Sequence, residues 1–274
     1  MTLFVVCVKL VPAPGSLKVD RKRGTLVREG VPSVLNAADK SAARVAMRLR
    51  DQVGGRVVAA SMGPPQAESA LREVLAAGAD EAVLLSDPAF AGADTLATSE
   101  VLSAAVARLV RDSGAGENYL VLCGARSSDG ETGQVGPQVA EALGVGQITM
   151  ARDVELRGDL LKAERDAGDS VEVLETRLPA VVTIVEEACE RRYLAIDRIV
   201  EAHEVKKVSV WGLADLGLDA LKVGVLGSKT KVVEVFSMHE AGERRAERLS
   251  GSLDEVAGRV ASELLRFARG GTCE

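Results

Sequence analysis

The stretch from Tyr119 to Thr149, YLVLCGARSSDGETGQVGPQVAEALGVGQIT, limits the fold of this chain more than any other part of it. Its first five residues, Tyr119–Cys123, make an apolar run too short for a helix and rich enough in Val and Leu for a buried strand. Small and polar residues follow from Gly124 to Gly130. Beyond Thr132, the residues Val135, Val139, Ala140 and Leu143 recur at helical spacing, and Gly144 stops the run. Strand, small-residue loop and helix start together present backbone N–H groups to an anion. The first N–H groups of a helix lack internal partners, and the macrodipole places partial positive charge on them. Small side chains let a phosphate approach the backbone. Thr132 or Asp129 is expected to cap the helix, while Ser127 and Ser128 offer hydroxyls to phosphate oxygens. The pattern fits an ordinary βα turn equally well, since it is neither a GxGxxG fingerprint nor a GxxxxGK[ST] loop.

The rest of the chain repeats the same alternation. Leu3–Val11 reads as a central strand, Asp39–Asp51 as a helix opened by Asn36, and Arg56–Ser61 as a second strand. A helix over Ala67–Ala77, a strand over Glu81–Ser86 and a long helix over Asp94–Ser113 complete the series. This order predicts an α/β fold, a doubly wound and mostly parallel sheet with helices on both faces. Composition agrees: 47% of the residues are hydrophobic but only 3% aromatic, so the core is built from Ala, Val and Leu. After Gly146 the segments Val154–Leu161, Val171–Leu178 and Ala180–Val185 read as strands, and Tyr193–His203 as a short helix. Lys18–Glu29 reads as a hairpin turning at Arg23–Gly24. The expected organisation is an α/β nucleotide-binding domain over 1–205 and a C-terminal arm with a terminal helix over 206–274. Lys206–Glu247 lacks core density, and Val232, Val235 and Phe236 call for a partner surface.

In an open α/β sheet, ligands bind beyond the carboxyl ends of the strands. Four loops are expected there: Cys7-Val8-Lys9, Asn36–Lys40 with Asp39, Ser61–Pro65 with Met62 and Gly63, and Cys123-Gly124 through Gln134. Backbone at Cys7-Val8 is suited to an adenine edge, and N–H groups around Gly130, Glu131, Thr132 and Gly133 to a phosphate. Asp129 and Glu131 are expected to shape the loop or to accept a ribose hydroxyl. Val135, Gly136 and Thr149 complete the candidate set. No acid, base, nucleophile or metal cluster accompanies these loops. The two histidines, His203 and His239, lie in the weakly patterned C-terminal part. The four cysteines have no metal-ligand spacing, and Cys7 and Cys123 fit buried strand positions. A net charge of −6 argues against nucleic acid, and no apolar run is long enough to span a membrane. A cytoplasmic location is expected. Binding, with the hard chemistry left to a cofactor, is the function these residues favour.

Several segments in order resemble the electron transfer flavoprotein β-subunit family. They include VCVKLVP near the start, GTLVREGVPSVLNAADKSA, SMGPPQAESALREVLAAGADEAVLLSD, FAGADTLATSEVL and GARSSDGETGQVGPQVAEALGVGQIT. ETRLPAVVTIVEEACERRY, VWGLADLGLD and GVLGSKTKVVEVF extend the likeness toward the C-terminus. The resemblance implies a heterodimer with an α subunit that holds a redox-active FAD. It also implies AMP, or a second FAD, in the β-chain site formed by the four loops. GADTLATS, DGETGQVGP and GSKT are closer to the electron-bifurcating and nitrogen-fixation-associated branch than to the mitochondrial one. The implied role is to carry electrons from dehydrogenases, or from NADH by bifurcation, to a quinone reductase or a low-potential ferredoxin-type acceptor. The alternatives are a nucleotide-hydrolysing or adenylating α/β enzyme, and a β-like scaffold holding AMP for structure only.

Overall fold

In a computed structural model, the structure describes residues 1–13, 18–20, 25–27, 32–189, 193–233 and 248–268. The chain opens with β1 (Leu3–Cys7) and β2 (Leu10–Pro12), so the expected single strand Leu3–Val11 is broken at Val8-Lys9. β3 (Lys18–Asp20) and β4 (Thr25–Val27) pair antiparallel as the expected hairpin, although its turn at Arg23–Gly24 lies outside the described residues. β5 (Ser33–Leu35) pairs antiparallel with β2 and delivers the chain to α1 (Ala37–Val53). Then come β6 (Arg56–Met62), α2 (Glu68–Ala77), β7 (Glu81–Leu85), α3 (Thr95–Ser113), β8 (Tyr119–Gly124) and α4 (Val135–Leu143). The strands β9 (Gly146–Arg157), β10 (Leu160–Asp166), β11 (Val171–Arg177) and β12 (Ala180–Ile184) follow. After them lie α5 (Ile196–Glu204), β13 (Val208–Trp211), α6 (Leu213–Leu216), α7 (Gly224–Gly227) and, in the terminal unit, α8 (Leu253–Ala268).

The main sheet has nine strands in the order β11-β10-β9-β12-β8-β1-β6-β7-β13. Strands from β9 to β13 along that order are parallel, and β10 and β11 add an antiparallel extension. The expected α/β class and doubly wound layout are present. Strand alternation sorts the two cores. Phe4 and Val6 join Ala42, Val45, Leu49, Leu71 and Val74 from α1 and α2. Leu3, Val5 and Cys7 join Val101, Val106, Val139 and Ala140 from α3 and α4 on the other face. Each fully buried Leu or Phe removes enough apolar surface to contribute roughly 1.5–3 kcal/mol. β1 is the middle one of the seven parallel strands, and the winding direction reverses between β1 and β8. That reversal opens a crevice at their carboxyl ends.

Two sequence expectations are corrected here. Val154–Leu161 is not one strand: the chain turns at Gly158, whose φ of +64° lies in the left-handed region, and β9 and β10 become a hairpin. The helix expected at Tyr193–His203 runs from Ile196 to Glu204. Residues 208–211 form an edge strand on β7, and one compact unit extends over Met1–Val233, with Glu234–Glu274 a second unit. Val235, Phe236 and His239 lie outside the described residues. No helix among the described residues is long and apolar enough to cross a membrane.

Arg72 fastens α5 to the sheet's flank. Its Nη1 donates to the carbonyls of Ala202 and Lys206 at the end of α5, while Glu68 one turn earlier on α2 grips the guanidinium at 2.7 Å. Arg72→Met is expected to lower stability by about 1–3 kcal/mol, because two carbonyls lose a charged donor. It should also speed amide exchange in α5. An unchanged urea midpoint with unchanged exchange would refute that assignment.

Candidate functional site

Residues 7–9, Asn36, Asp39 and residues 123–136 come together at the crevice between β1 and β8, whereas Met62 and Gly63 lie at the β6–β7 tip and Lys40 and Thr149 lie elsewhere. The floor of the crevice is a single carboxylate. Asp39, on the first turn of α1, accepts the Lys9 N–H at 2.8 Å through Oδ2 and the Gly124 N–H at 2.9 Å through Oδ1. The ends of β1 and β8 are thereby tied together across the reversal point. Gly124 is required for this approach: a Cβ on it would stand 2.3 Å from Asp39 Oδ1. Burial pushes the Asp39 carboxyl up to about 7, against the opposing pull of Asn36, the two backbone N–H groups and Lys9. Burial, with the Asp39 charge second, pushes the Cys7 thiol up to about 12, and burial raises the Cys123 thiol as well. Cys7 and Cys123 are register partners on β1 and β8, buried and neutral.

The first half of the 124–134 loop is held from both sides. Lys9 Nζ pairs with Asp129 Oδ1 at 2.6 Å and donates to Ser127 Oγ at 3.3 Å. Asn36 Nδ2 donates to the Arg126 carbonyl at 3.0 Å, and Asn36 Oδ1 accepts the Ser128 N–H at 3.2 Å. The N–H groups of Gly130 and Glu131 both turn back to the Ser127 carbonyl. Asn36 occupies the N-cap position of α1 but makes no side-chain cap, because the loop consumes its amide. Asp129 is likewise no helix cap: Lys9 holds it.

The second half of the loop is open. Gln134 stands at the N-cap position of α4 without a side-chain cap, so the expected capping by Thr132 or Asp129 does not occur. No hydrogen bond among the described residues engages the N–H groups of Thr132, Gly133, Gln134, Val135 or Gly136. Gly133 has φ +64° and Gln134 is right-handed helical, an alternation that turns successive N–H groups inward as an anion nest. Gly136 presses α4 onto the strand ends, where a Cβ would lie 2.4 Å from Thr183 Cγ2 and 2.9 Å from Cys123 Sγ. A run of unpaired amides at a helix start, exposed over Thr132–Gln134 and buried by Gly136, suits one or two phosphates.

Other predicted residues have different tasks. The Val8 N–H is bonded to the Ala60 carbonyl at 2.8 Å and that of Lys9 to Asp39, so those strand-end donors are taken rather than offered to a base. Lys40 Nζ pairs with Glu73 of α2 at 2.8 Å. Met62 packs beneath α3, and the Gly63 N–H reaches the Leu85 carbonyl, closing the tip between β6 and β7. Thr149 lies on β9, separated from β8 by β12. Two residues went unread in the sequence. Thr183, whose buried hydroxyl accepts the Met150 N–H at 2.9 Å, was signalled by being the one polar residue in Ala180–Ile184. Thr95, whose place at the start of α3 was legible, donates to Gln134 Oε1 at 3.0 Å, a contact that had no local signal.

Known proteins resemble this chain over most of its length. The electron transfer flavoprotein domain model matches residues 23–216. The chain is 43% identical over 261 residues to the electron transfer flavoprotein subunit beta of Thermoanaerobacterium thermosaccharolyticum, covering 95% of this chain and 97% of that one. It is 40% identical to the caffeyl-CoA reductase-Etf complex subunit CarD of Acetobacterium woodii, with the same two coverages of 95% and 97%. It is also 40% identical to protein FixA of Bradyrhizobium diazoefficiens, over 88% of this chain and 84% of that one. The chain belongs to the electron transfer flavoprotein family, on its β-subunit side.

Proposed function

We propose that this chain is the β subunit of a two-subunit electron transfer flavoprotein, and that its cradle holds the phosphate of an adenine nucleotide: AMP, or the adenylate half of an FAD. The run of five unpaired N–H groups from Thr132 to Gly136 at an uncapped helix start carries the reading. In it, these amides hold the phosphate, Asn36 and Lys9 keep the loop in shape, and Asp39 sets the spacing of the strand ends. A bound flavin would supply the one- and two-electron chemistry that no side chain here can. An α subunit holding FAD completes the complex, with residues 206–274 against it. Dehydrogenases, or NADH by bifurcation, are the donors, and a quinone reductase or ferredoxin-type protein is the acceptor. The likeness to CarD and FixA favours the bifurcating branch, and so a second FAD over AMP.

Nucleotide analysis of the complex purified with its α partner tests this. Two FAD per complex supports a flavin in this chain, and one FAD with one AMP supports a simple carrier. ATP turnover without flavin would overturn the proposal in favour of a hydrolase. Gly133→Asp places a carboxylate in the nest, and repulsion of roughly 4 kcal/mol at close range is expected to weaken retention at least ~100-fold. Retention after desalting reads this directly, and unaltered retention would remove the cradle from the site.

A further inference from the structure

A short series of hydrogen bonds links the cradle to residues 224–230. Gly224 lies so close against the Pro88–Phe90 turn that a Cβ on it would collide with the Ala89 carbonyl, and the Val225 N–H donates to the Ala91 carbonyl. Ser228 Oγ accepts the Asp94 N–H at 2.8 Å and donates to the Gly224 carbonyl at 2.8 Å. Asp94 does two things at once. Its Oδ1 caps α3 by accepting the Ala97 N–H at 2.9 Å. Its Oδ2 accepts the Lys229 N–H at 2.7 Å, the Thr230 N–H at 2.9 Å and the Thr230 hydroxyl at 3.0 Å. Burial opposes ionisation of Asp94, but these donors outweigh it and lower the carboxyl to about 2, so the latch is charged at any working pH. The next residue, Thr95, bonds Gln134, the N-cap residue of α4 and a member of the unpaired N–H run.

We infer that the cradle and residues 224–230 are energetically coupled through Gln134, Thr95 and Asp94, so that a nucleotide phosphate on the 132–136 amides tightens the latch. The inference rests on the nucleotide reading above. A phosphate that fixes the backbone at Gln134 restricts the side chain whose Oε1 accepts from the Thr95 hydroxyl, and through that bond the first turn of α3 beside Asp94. Ordering already achieved at one end need not be achieved again at the other, which is a coupling without any change of fold. Coupling of this kind is reciprocal, so the latch must also tighten nucleotide binding. Occupancy of the cradle is then transmitted to a surface that carries the exposed Leu221, Val225 and Leu226, where the proposed α subunit would read it.

Hydrogen exchange on the full-length chain, with and without saturating AMP, tests the coupling. AMP is expected to slow exchange at 132–136 and, by about five-fold or more, in peptides covering 224–233. Asp94→Ala, which touches none of the cradle amides, is expected to weaken AMP by a similar factor. Should Asp94→Ala unravel the start of α3, Thr95→Val supplies the second test: the 132–136 amides stay protected by AMP while the gain at 224–233 disappears. Protection at 132–136 with none transmitted in the unaltered chain, or transmission that survives Thr95→Val, would overturn the coupling. AMP that protects neither stretch would overturn the nucleotide reading itself.

Discussion

Gly124→Ala is expected to cost about 2–4 kcal/mol of stability and to strip the proposed nucleotide from the site. The residue is not in the left-handed region, so conformational freedom is not why glycine stands there; space is. An added Cβ would lie 2.3 Å from Asp39 Oδ1, 2.8 Å from the Ala38 Cβ and 2.9 Å from the Asp39 backbone nitrogen. Two of those atoms are backbone or a rigid methyl on α1, and α1 cannot withdraw. Ala42, Ala43, Val45, Ala46 and Leu49 bind it tightly to the sheet. Overpacking against so fixed a wall costs a few kcal/mol. The cheaper relaxation swings the Asp39 carboxylate away, which abandons both N–H bonds and lets the two strand ends separate. Either response disorders the loop. Gly130→Ala is the control, because a Cβ there meets only Ser127 Oγ at 3.6 Å, an ordinary contact. Its urea midpoint and nucleotide content should match those of the unaltered protein. A Gly124→Ala protein with both unchanged would show that the close approach has no function.

That dependence on a long-range contact explains what the sequence could and could not convey. The alternation of apolar runs and amphipathic stretches is local, and it located β1, β6, β7, β8 and the four helices around them. It failed where a local signal was overridden from a distance. Asn36 carries the signature of a helix cap, yet its amide serves Arg126 and Ser128, ninety residues on. Asp129 carries the signature of a loop-shaping acid, yet it is claimed by Lys9 from the opposite strand. β13 has four residues with little burial of its own, so its pattern was too weak to mark a strand; only pairing with β7 makes it one. The open amides of the cradle were legible because they follow from a helix start and small neighbours. Which residues hold that cradle was not, because the tie from Asp39 to Lys9 and Gly124 spans thirty and eighty-five residues.

Asp39→Asn is expected to remove a pH dependence of stability that the unaltered protein shows between about pH 4 and pH 7. The carboxyl is raised to about 7 in the folded chain, against 3.8 ordinarily. Within that window the folded state keeps the proton and the unfolded state has lost it. Raising the pH therefore favours unfolding, and the full penalty, on the order of 4 kcal/mol, is present above pH 7. The groups around Asp39 do not confuse the window: Lys9 is paired with Asp129, the Cys7 and Cys123 thiols remain protonated, and Asn36 does not titrate. Asp94, lowered to about 2, acts with the opposite sign and below the window. An amide at position 39 accepts one backbone N–H and turns its own NH2 toward the other, a cost of about 1–3 kcal/mol that is the same at every pH. The Asn variant should therefore fall furthest below the unaltered protein near pH 4.5 and approach or pass it near pH 8. Urea midpoints measured at half-unit steps decide this, and parallel slopes for the two proteins would refute it. A buried acid whose ionisation weakens the fold is explained if both of its oxygens are needed by the site. Nucleotide retention at pH 8, where the two proteins are closest in stability, should accordingly be lost in Asp39→Asn.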